Sequence, residues 1–438
     1  MRQPLKAAAL DVLVNLLRGE QMSHLAYERQ GRWQTGIGSI AEINLYSDCA
    51  TLAVEDQPAS IWRGPHWLEN VQAALNALPF ETWQAFGISR FELSGLIHGL
   101  SPAPAHLPLL TLFIPRYWLT LGEGAAEIRA HYPDELPLLK SRLQEADRTI
   151  PETGTDRGWL ESISERIRQQ DADGYVERVK AAVAEIREGR YQKVILSRRI
   201  DLDGAIDLLA SYRLGRQHNT PARSYVVKLG GERFIGFSPE TIVEVSAEGR
   251  VSTQPLAGTR ALTDDEAENA RLRAVLTGDT KEIAEHAVSV KLALEELTPL
   301  CEQGSVHVSD FMSVSLRGSV QHLASRVTGQ MLPAVSCWHA FSALFPAVTA
   351  SGIPKAPAID AIHRLEPAPR GAYSGSVFSL SSRGEMDAAL ILRSLYQRDD
   401  GFSLQAGAGI IDQSRPEREL EETVEKLQSV SRFLVKGY

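Results

Sequence analysis

The spacing of apolar positions changes character along the chain. Between residues 25 and 120 they alternate or cluster in short runs (Tyr27 to Thr35, Ile43 to Val54 and Leu107 to Ile114), separated by Gly and Pro turns, which predicts strands. Helical patches intervene at Trp67 to Leu78 and Glu135 to Ala146. Met1 to Leu17 reads as an amphipathic helix, its apolar stretch broken by Asp11 and Asn15. The polar stretch Asp147 to Gly158 is the best linker candidate and divides a strand-rich part, residues 1–155, from a second region, residues 156–438. Beyond it, Val176, Val179, Val183 and Ile186 share one helical face between Tyr175 and Glu188, with Asp173 before and Gly189 after as start and stop signals. Tyr191 to Ile200 reads as a strand and Ser224 to Val245 as further strand-like runs. Lys281 to Leu297 is a helix, Leu390 to Gln397 and Phe402 to Gly407 are strands, and Pro416 to Phe433 is a final helix. No internal repeat occurs, and the order lacks the regular strand–helix alternation of a doubly wound sheet. The class is α+β.

Length and charge narrow the possible partners. The chain has 438 residues, 46 basic and 55 acidic, for a formal charge of -9. That balance disfavours a nucleic-acid backbone or an anionic membrane as partner, while a small anion could still bind in a locally positive or metal-bearing pocket. Cys49, Cys301 and Cys337 lie far apart, offer no zinc template and fit a reducing cytosol. Val327 to Pro354 carries no Asp, Glu, Lys or Arg, but Gln330, His339, Pro333 and Pro346 mark it as buried soluble core rather than a bilayer span. A cytoplasmic protein is expected.

Several local patterns bear on chemistry. Residues 36–41, GIGSIA, match a dinucleotide fingerprint, but the preceding strand is polar and the following segment alternates like another strand, so a hairpin turn is the better reading. Glu282 with Glu285, and Glu419 with Glu422, are carboxylates three residues apart on the faces of two helices. Capping boxes, Asp279 with Glu282 and Ser414 with Glu417, explain each helix alone. If both helices point at one cavity, four carboxylates converge and need a hard cation such as Mg²⁺. Gly258 and the pair Gly407 and Gly409 lie in glycine-bearing segments read as turns next to strands, where a ligand can approach backbone amides. Arg393 sits within an apolar strand pattern, Ala388 to Tyr396, and is costly to bury unless it meets an anion.

Taken together, YQKVILSR at 191–198, GFSPE at 236–240, PLAGTR at 255–260, KEIAEH at 281–286, RGSVQH at 317–322, FPAVTASGIPK at 345–355, RGAYSG at 370–375 and GAGII at 407–411 resemble the chorismate-utilising enzymes, in that family's order. Within the family the chain is most similar to the bacterial salicylate synthases of siderophore pathways. The fold implied is one large body, like anthranilate synthase component I, whose extensive, mainly antiparallel sheets enclose a deep Mg²⁺-dependent site. The resemblance implies that Lys193 activates water to attack ring carbon 2 of chorismate and that Glu240 is the acid for the departing 4-hydroxyl. A lysine serves as base only in its neutral form, which desolvation or neighbouring positive charge favours. Glu282, Glu285, Glu419 and Glu422 match the Mg²⁺ shell. Arg393, Tyr373, Lys426 and the Gly407 amide match the groups around the enolpyruvyl carboxylate, and Gly258, Thr259 and His322 line the same pocket.

Two positions separate subgroups. Ammonia-using relatives carry glutamine where this chain has Lys193, so water is the expected nucleophile and no amidotransferase subunit is expected. Relatives that stop at isochorismate commonly carry alanine where this chain has Thr349, so loss of pyruvate to give salicylate is the expected second step. An isochorismate synthase that releases its intermediate and a catalytically silent homologue remain as alternatives. A salicylate product implies a salicylate-activating enzyme as the next user.

Overall fold

The computed structural model describes the chain apart from residues 65, 101–106, 150–155, 264, 318–319, 399–400 and 438, and the side chains of residues 257, 259, 261 and 281. The elements that build the site, numbered in chain order, are β1 (His24–Arg29), β2 (Arg32–Leu45), β3 (Gln84–Ser89), β4 (Leu110–Gly122), α1 (Ala172–Arg187), β5 (Lys193–Leu202), β6 (Arg223–Leu229) and β7 (Glu232–Ser238). They continue with β8 (Thr241–Val245), β9 (Leu256–Ala261), α2 (Thr280–Leu297), β10 (Val320–Gln330), α3 (Lys355–Leu365), β11 (Ser376–Ser381), β12 (Met386–Leu390), β13 (Ser394–Arg398), β14 (Gly401–Ile410) and α4 (Pro416–Ser431).

Among the described residues every ladder is antiparallel. The pairing runs β5–β14–β13–β7–β6–β1–β2–β4–β3–β11–β12–β8, and the Arg250–Thr253 strand continues it to β10 and β9. Early and late strands interleave, since β1 pairs with β6 and β3 with β11. Helix α4 lies on β14 and against α1, and α2 lies on β9 and β10. Both helices with paired glutamates therefore rest on strands that carry candidate site residues.

The structure corrects several local expectations. Residues 36–41 are not a hairpin turn but the middle of β2, paired to β4 with a register shift between Ser39 and Ala41. A Cβ on Gly36 would stand 2.7 Å from the Phe86 ring, and Gly38 takes φ +68, so these glycines serve close packing and a bulge rather than a chain reversal. Gly407 and Gly409 likewise lie inside β14, opposite Ser197 and Ile195, not in a turn. Gly258 is a bulge within β9 at φ +64. Arg393 is outside any strand: it occupies the break between β12 and β13 at φ +49, a left-handed position that redirects its side chain. Helix α4 begins at Pro416 with Arg415 as a cap lacking a side-chain bond, so no Ser414–Glu417 capping box forms. The Ser414 hydroxyl accepts the Ile411 N–H instead.

One buried ion pair ties these elements together. Arg370, 1 % exposed, donates through Nε and Nη2 to Glu366 at 2.9 and 2.6 Å. Its remaining N–H groups bond the carbonyls of Ile195 on β5 and of Ala350, both at 2.7 Å. Glu366 in turn accepts the Ser197 N–H at 2.7 Å and the Ser197 hydroxyl at 3.0 Å. The pair therefore satisfies its own polar groups and fixes the backbone two residues beyond Lys193 and one beyond Thr349. Arg370→Met, which strands the Glu366 carboxylate, should cost about 3–5 kcal/mol in urea unfolding. Adding Glu366→Gln should recover part of that loss; a single-variant loss within about 1 kcal/mol, the range of an exposed pair, would contradict the role.

Candidate active site

Lys193 opens β5, and its Nζ donates to Glu285 Oε2 on α2 at 3.3 Å. The first turn of α2 is capped through Asp279, whose carboxylate accepts the Glu282 N–H at 3.3 Å. Glycine at two positions makes the approach possible. A Cβ on Gly409 would stand 3.0 Å from Lys193 Cε, and one on Gly258 would stand 3.0 Å from Glu282 Oε2. Across the site, Lys426 on α4 donates to the Gly407 carbonyl at 2.8 Å and pairs with Glu422 at 2.7 Å. Burial alone would push the Glu422 carboxyl up, but Lys426, Arg418 and Lys193 together hold it below the usual carboxylate range. The same charge interaction puts Lys193 within electrostatic reach of both glutamate-bearing helices.

Glu240 occupies the short gap between β7 and β8 and is 5 % exposed. The Thr349 hydroxyl lies 2.8 and 3.0 Å from its two carboxylate oxygens. Burial pushes the Glu240 carboxyl up to about 8, against the smaller opposing effects of Thr349 and the Lys193 charge. A carboxyl in that state keeps its proton at neutral pH and can give it away, as a general acid must.

A third group lies around Arg393. Its Nη2 is 3.2 Å from His322 Nε2, and His322 Nδ1 is 3.1 Å from the Gly258 carbonyl. Burial and the Arg393 charge push the His322 ring down to about 3, so it is neutral. Burial, reinforced by Arg317, lowers Arg393 to about 10. This guanidinium therefore faces a neutral ring, a setting that favours an incoming anion. Tyr373 is buried between Arg370 and the Gly407 backbone, and burial pushes its phenol up to about 12.

These contacts bring the residues singled out in the sequence together in groups: Lys193 with Glu285, Glu422 with Lys426 and Gly407, Glu240 with Thr349, and Arg393 with His322 and Gly258, which Glu282 approaches. Thr259 pairs with His322 across the ladder, and its side chain lies outside the described residues. Glu419 is buried one turn before Glu422. Among the described residues no three His, Cys, Asp or Glu side chains gather closely enough to hold a metal ion. Three of the four candidate carboxylates instead contact cations: Glu285 with Lys193, Glu422 with Lys426, and Glu282 with Arg260 at 3.2 Å. Carboxylate oxygens are the hard donor type that Mg²⁺ takes, though in this arrangement they pair with side-chain cations instead.

Sequence reasoning gave no role to Glu366, Arg370, Arg198 or Glu296. Arg198 is buried and donates to Thr423 on α4 at 2.7 Å, which locks the Lys193 strand to the second glutamate helix. A signal for Arg198 was present: a cation inside the apolar run of β5 demands partners.

The match to known proteins agrees with this geometry. The family model described as chorismate binding enzyme matches residues 22–432, and the chain belongs to that family. It is 40 % identical over 437 residues, covering 98 % of the chain and 93 % of the relative, to salicylate synthase of Mycolicibacterium paratuberculosis. It is 37 % identical over 333 residues to anthranilate synthase component 1 of Aeropyrum pernix, covering 75 % of this chain and 72 % of that protein. Among solved structures, anthranilate synthase component I of Streptococcus pneumoniae superposes with a TM-score of 0.73 at 25 % identity, covering 93 % and 92 % of the two chains. The menaquinone-specific isochorismate synthase of Escherichia coli superposes at 0.75 and 22 % identity, covering 99 % and 93 %, and shares the fold.

The buried acid also leaves a mark on stability. Because the folded protein holds the Glu240 proton up to about pH 8, against a reference carboxyl value of 4.5, its contribution is complete below about 4.5 and is lost as pH rises through about 8. Glu240→Gln keeps the shape and an acceptor for Thr349 but cannot ionise. Its stability relative to wild type should therefore rise across that interval, measured by denaturant unfolding at a series of pH values; a pH-independent difference would contradict a buried, protonated Glu240.

Proposed function

We propose that the protein converts chorismate to isochorismate and then to salicylate and pyruvate. The observation that supports this reading best is Glu240 itself, an acid that burial keeps protonated and that feels the charge of Lys193. In the first step Lys193, once the ammonium that pairs with Glu285 has given up a proton, takes a proton from water as the oxygen attacks ring carbon 2, and Glu240 gives its proton to the departing 4-hydroxyl. Thr349 fixes the orientation of the acid. The Arg393 guanidinium binds one substrate carboxylate, with Lys426, Tyr373 and the Gly407 backbone around the enolpyruvyl group. Glu282, Glu285, Glu419 and Glu422 would hold Mg²⁺, which when bound supplies positive charge for the substrate's other carboxylate. In the second step hydrogen passes within the substrate from ring carbon 2 to the enolpyruvyl methylene as pyruvate leaves, so the protein's task is to hold the side chain over the ring.

Purified protein given chorismate and Mg²⁺ should form salicylate and pyruvate in equal amounts. Isochorismate accumulating without either would overturn the second step. Lys193→Gln should lower salicylate formation from chorismate by about 10²–10⁴-fold, the usual contribution of a general base, while isochorismate supplied directly is still converted. EDTA should abolish turnover and added Mg²⁺ restore it; full turnover in EDTA would refute the metal assignment.

A further inference from the structure

The water-addition chemistry leaves a debt at Glu240. Each turnover removes its proton, and the acid works again only once a proton returns. A cavity of about 30 Å³ next to Glu240 is lined by Glu240, Thr349, Thr253, Ser289, Ala293 and Glu296. Neither Lys193 nor Glu285 borders it. A water needs roughly 10–15 Å³ of such space and two or more polar partners, so the cavity has room for one or two.

The far wall is a face of α2. Ser289, Ala293 and Glu296 follow Glu282 and Glu285 at spacings of four, four and three residues, so a single stripe of this helix runs from the candidate metal carboxylates to the cavity. The Ser289 hydroxyl donates to the Glu285 carbonyl at 3.1 Å and keeps its lone pairs for a water. Glu296 differs from the other lining groups. Its side chain is 22 % exposed and reaches solvent, while its carboxylate accepts from the buried Lys355 ammonium at 2.7 Å. Lys355 is itself held by the Ala343 and Leu344 carbonyls at 3.2 and 3.1 Å, so the pair is anchored in place. Burial pushes the Glu296 carboxyl up, against the pull of Lys355.

We propose that Glu296 returns the proton to Glu240 through water held in this cavity. Glu296 takes a proton from solvent and passes it to the water, which gives one of its own to the Glu240 carboxylate. Only O–H bonds are made and broken. Lys193 releases its extra proton to solvent, so the cycle closes without a co-reactant. Glu296 does not touch substrate; it acts through Glu240. The idea rests on the reading of Glu240 as the acid of the first step.

The two half-reactions separate this role from a structural one, because the second needs no proton from the protein. Glu296→Gln keeps the shape and the contact with Lys355 but cannot carry the proton, and Ala293→Leu fills the cavity without altering any of its polar groups. Both should slow conversion of chorismate to isochorismate by at least about tenfold, within the range of general-acid effects. Conversion of supplied isochorismate to salicylate should stay within about twofold of wild type, since that step is a matter of orientation alone. Equal loss of both half-reactions, or loss of neither, would overturn the relay. Wild-type protein run in parallel distinguishes the two levels: if it forms no isochorismate or salicylate from chorismate, the functional reading fails first.

Discussion

The site depends on the buried Glu366–Arg370 pair more than on any other contact. A guanidinium and a carboxylate removed from water are expensive, and the cost is offset only where every remaining donor and acceptor finds a partner. Here those partners are backbone groups of the strand that begins with Lys193 and of the short turn that carries Thr349. The requirement to satisfy one ion pair therefore sets the distance between the base's strand and the acid's hydroxyl partner. Arg198 extends the same logic to α4, since its three bonds join the strand to Thr423 and to the carbonyls of Ile167 and Gln170. Charges buried for structural reasons hold in place the charges meant for chemistry.

This framework lets two buried carboxyl groups occupy opposite environments. Glu240 is bonded by the Thr349 hydroxyl and has no strong ion-pair partner among the described residues, so burial dominates and the carboxyl stays neutral. Glu422 is also buried, yet Lys426, Arg418 and Lys193 outweigh the burial and keep it charged. The distinction between an acid that donates a proton and a carboxylate that holds a cation comes from the company each keeps, not from residue type.

Much of this was legible in the sequence, and the failures have physical causes. Elements with a broad apolar face read correctly: α2 spans Thr280–Leu297 where Lys281 to Leu297 was expected, and α4 spans Pro416–Ser431. Two helices were not read from the sequence. Arg157–Gln169 packs Trp159, Leu160, Ile163 and Ile167 along one face, a periodicity that was present beside the expected linker, whereas Glu266–Gly278 buries only Leu276 and offers little pattern. The glycines misled for a different reason. Composition marks a position where a Cβ is excluded, but whether a turn or a neighbouring strand excludes it depends on pairing between distant segments. At Gly407 it is the Leu196 carbonyl, 2.7 Å from where a Cβ would stand. Arg393 was wrongly placed in a strand, because a single left-handed residue does not disturb the apolar pattern around it. The ordered motifs carried the site residues as a set. Their contacts, such as Thr349 with Glu240, join segments more than 100 residues apart, and spacing holds no record of them.

The charge distribution explains why an acidic protein can suit a dianionic substrate. Arg393 faces a neutral His322 and is pressed by Arg317, and among the described residues no carboxylate forms an ion pair with it. An incoming carboxylate would gain a charge-assisted contact without displacing one. The carboxylates of α2 and α4 would repel an anion, and their contacts include Lys193, Lys426 and Arg260. A substrate with a carboxylate at each end can settle there only if a further cation offsets those glutamates. On the proposed roles the two groups of charge would impose a direction, with one carboxylate at the guanidinium, the other at the cation-demanding glutamates, and the ring presented to Lys193 and Glu240 as addition at one carbon and elimination at another require.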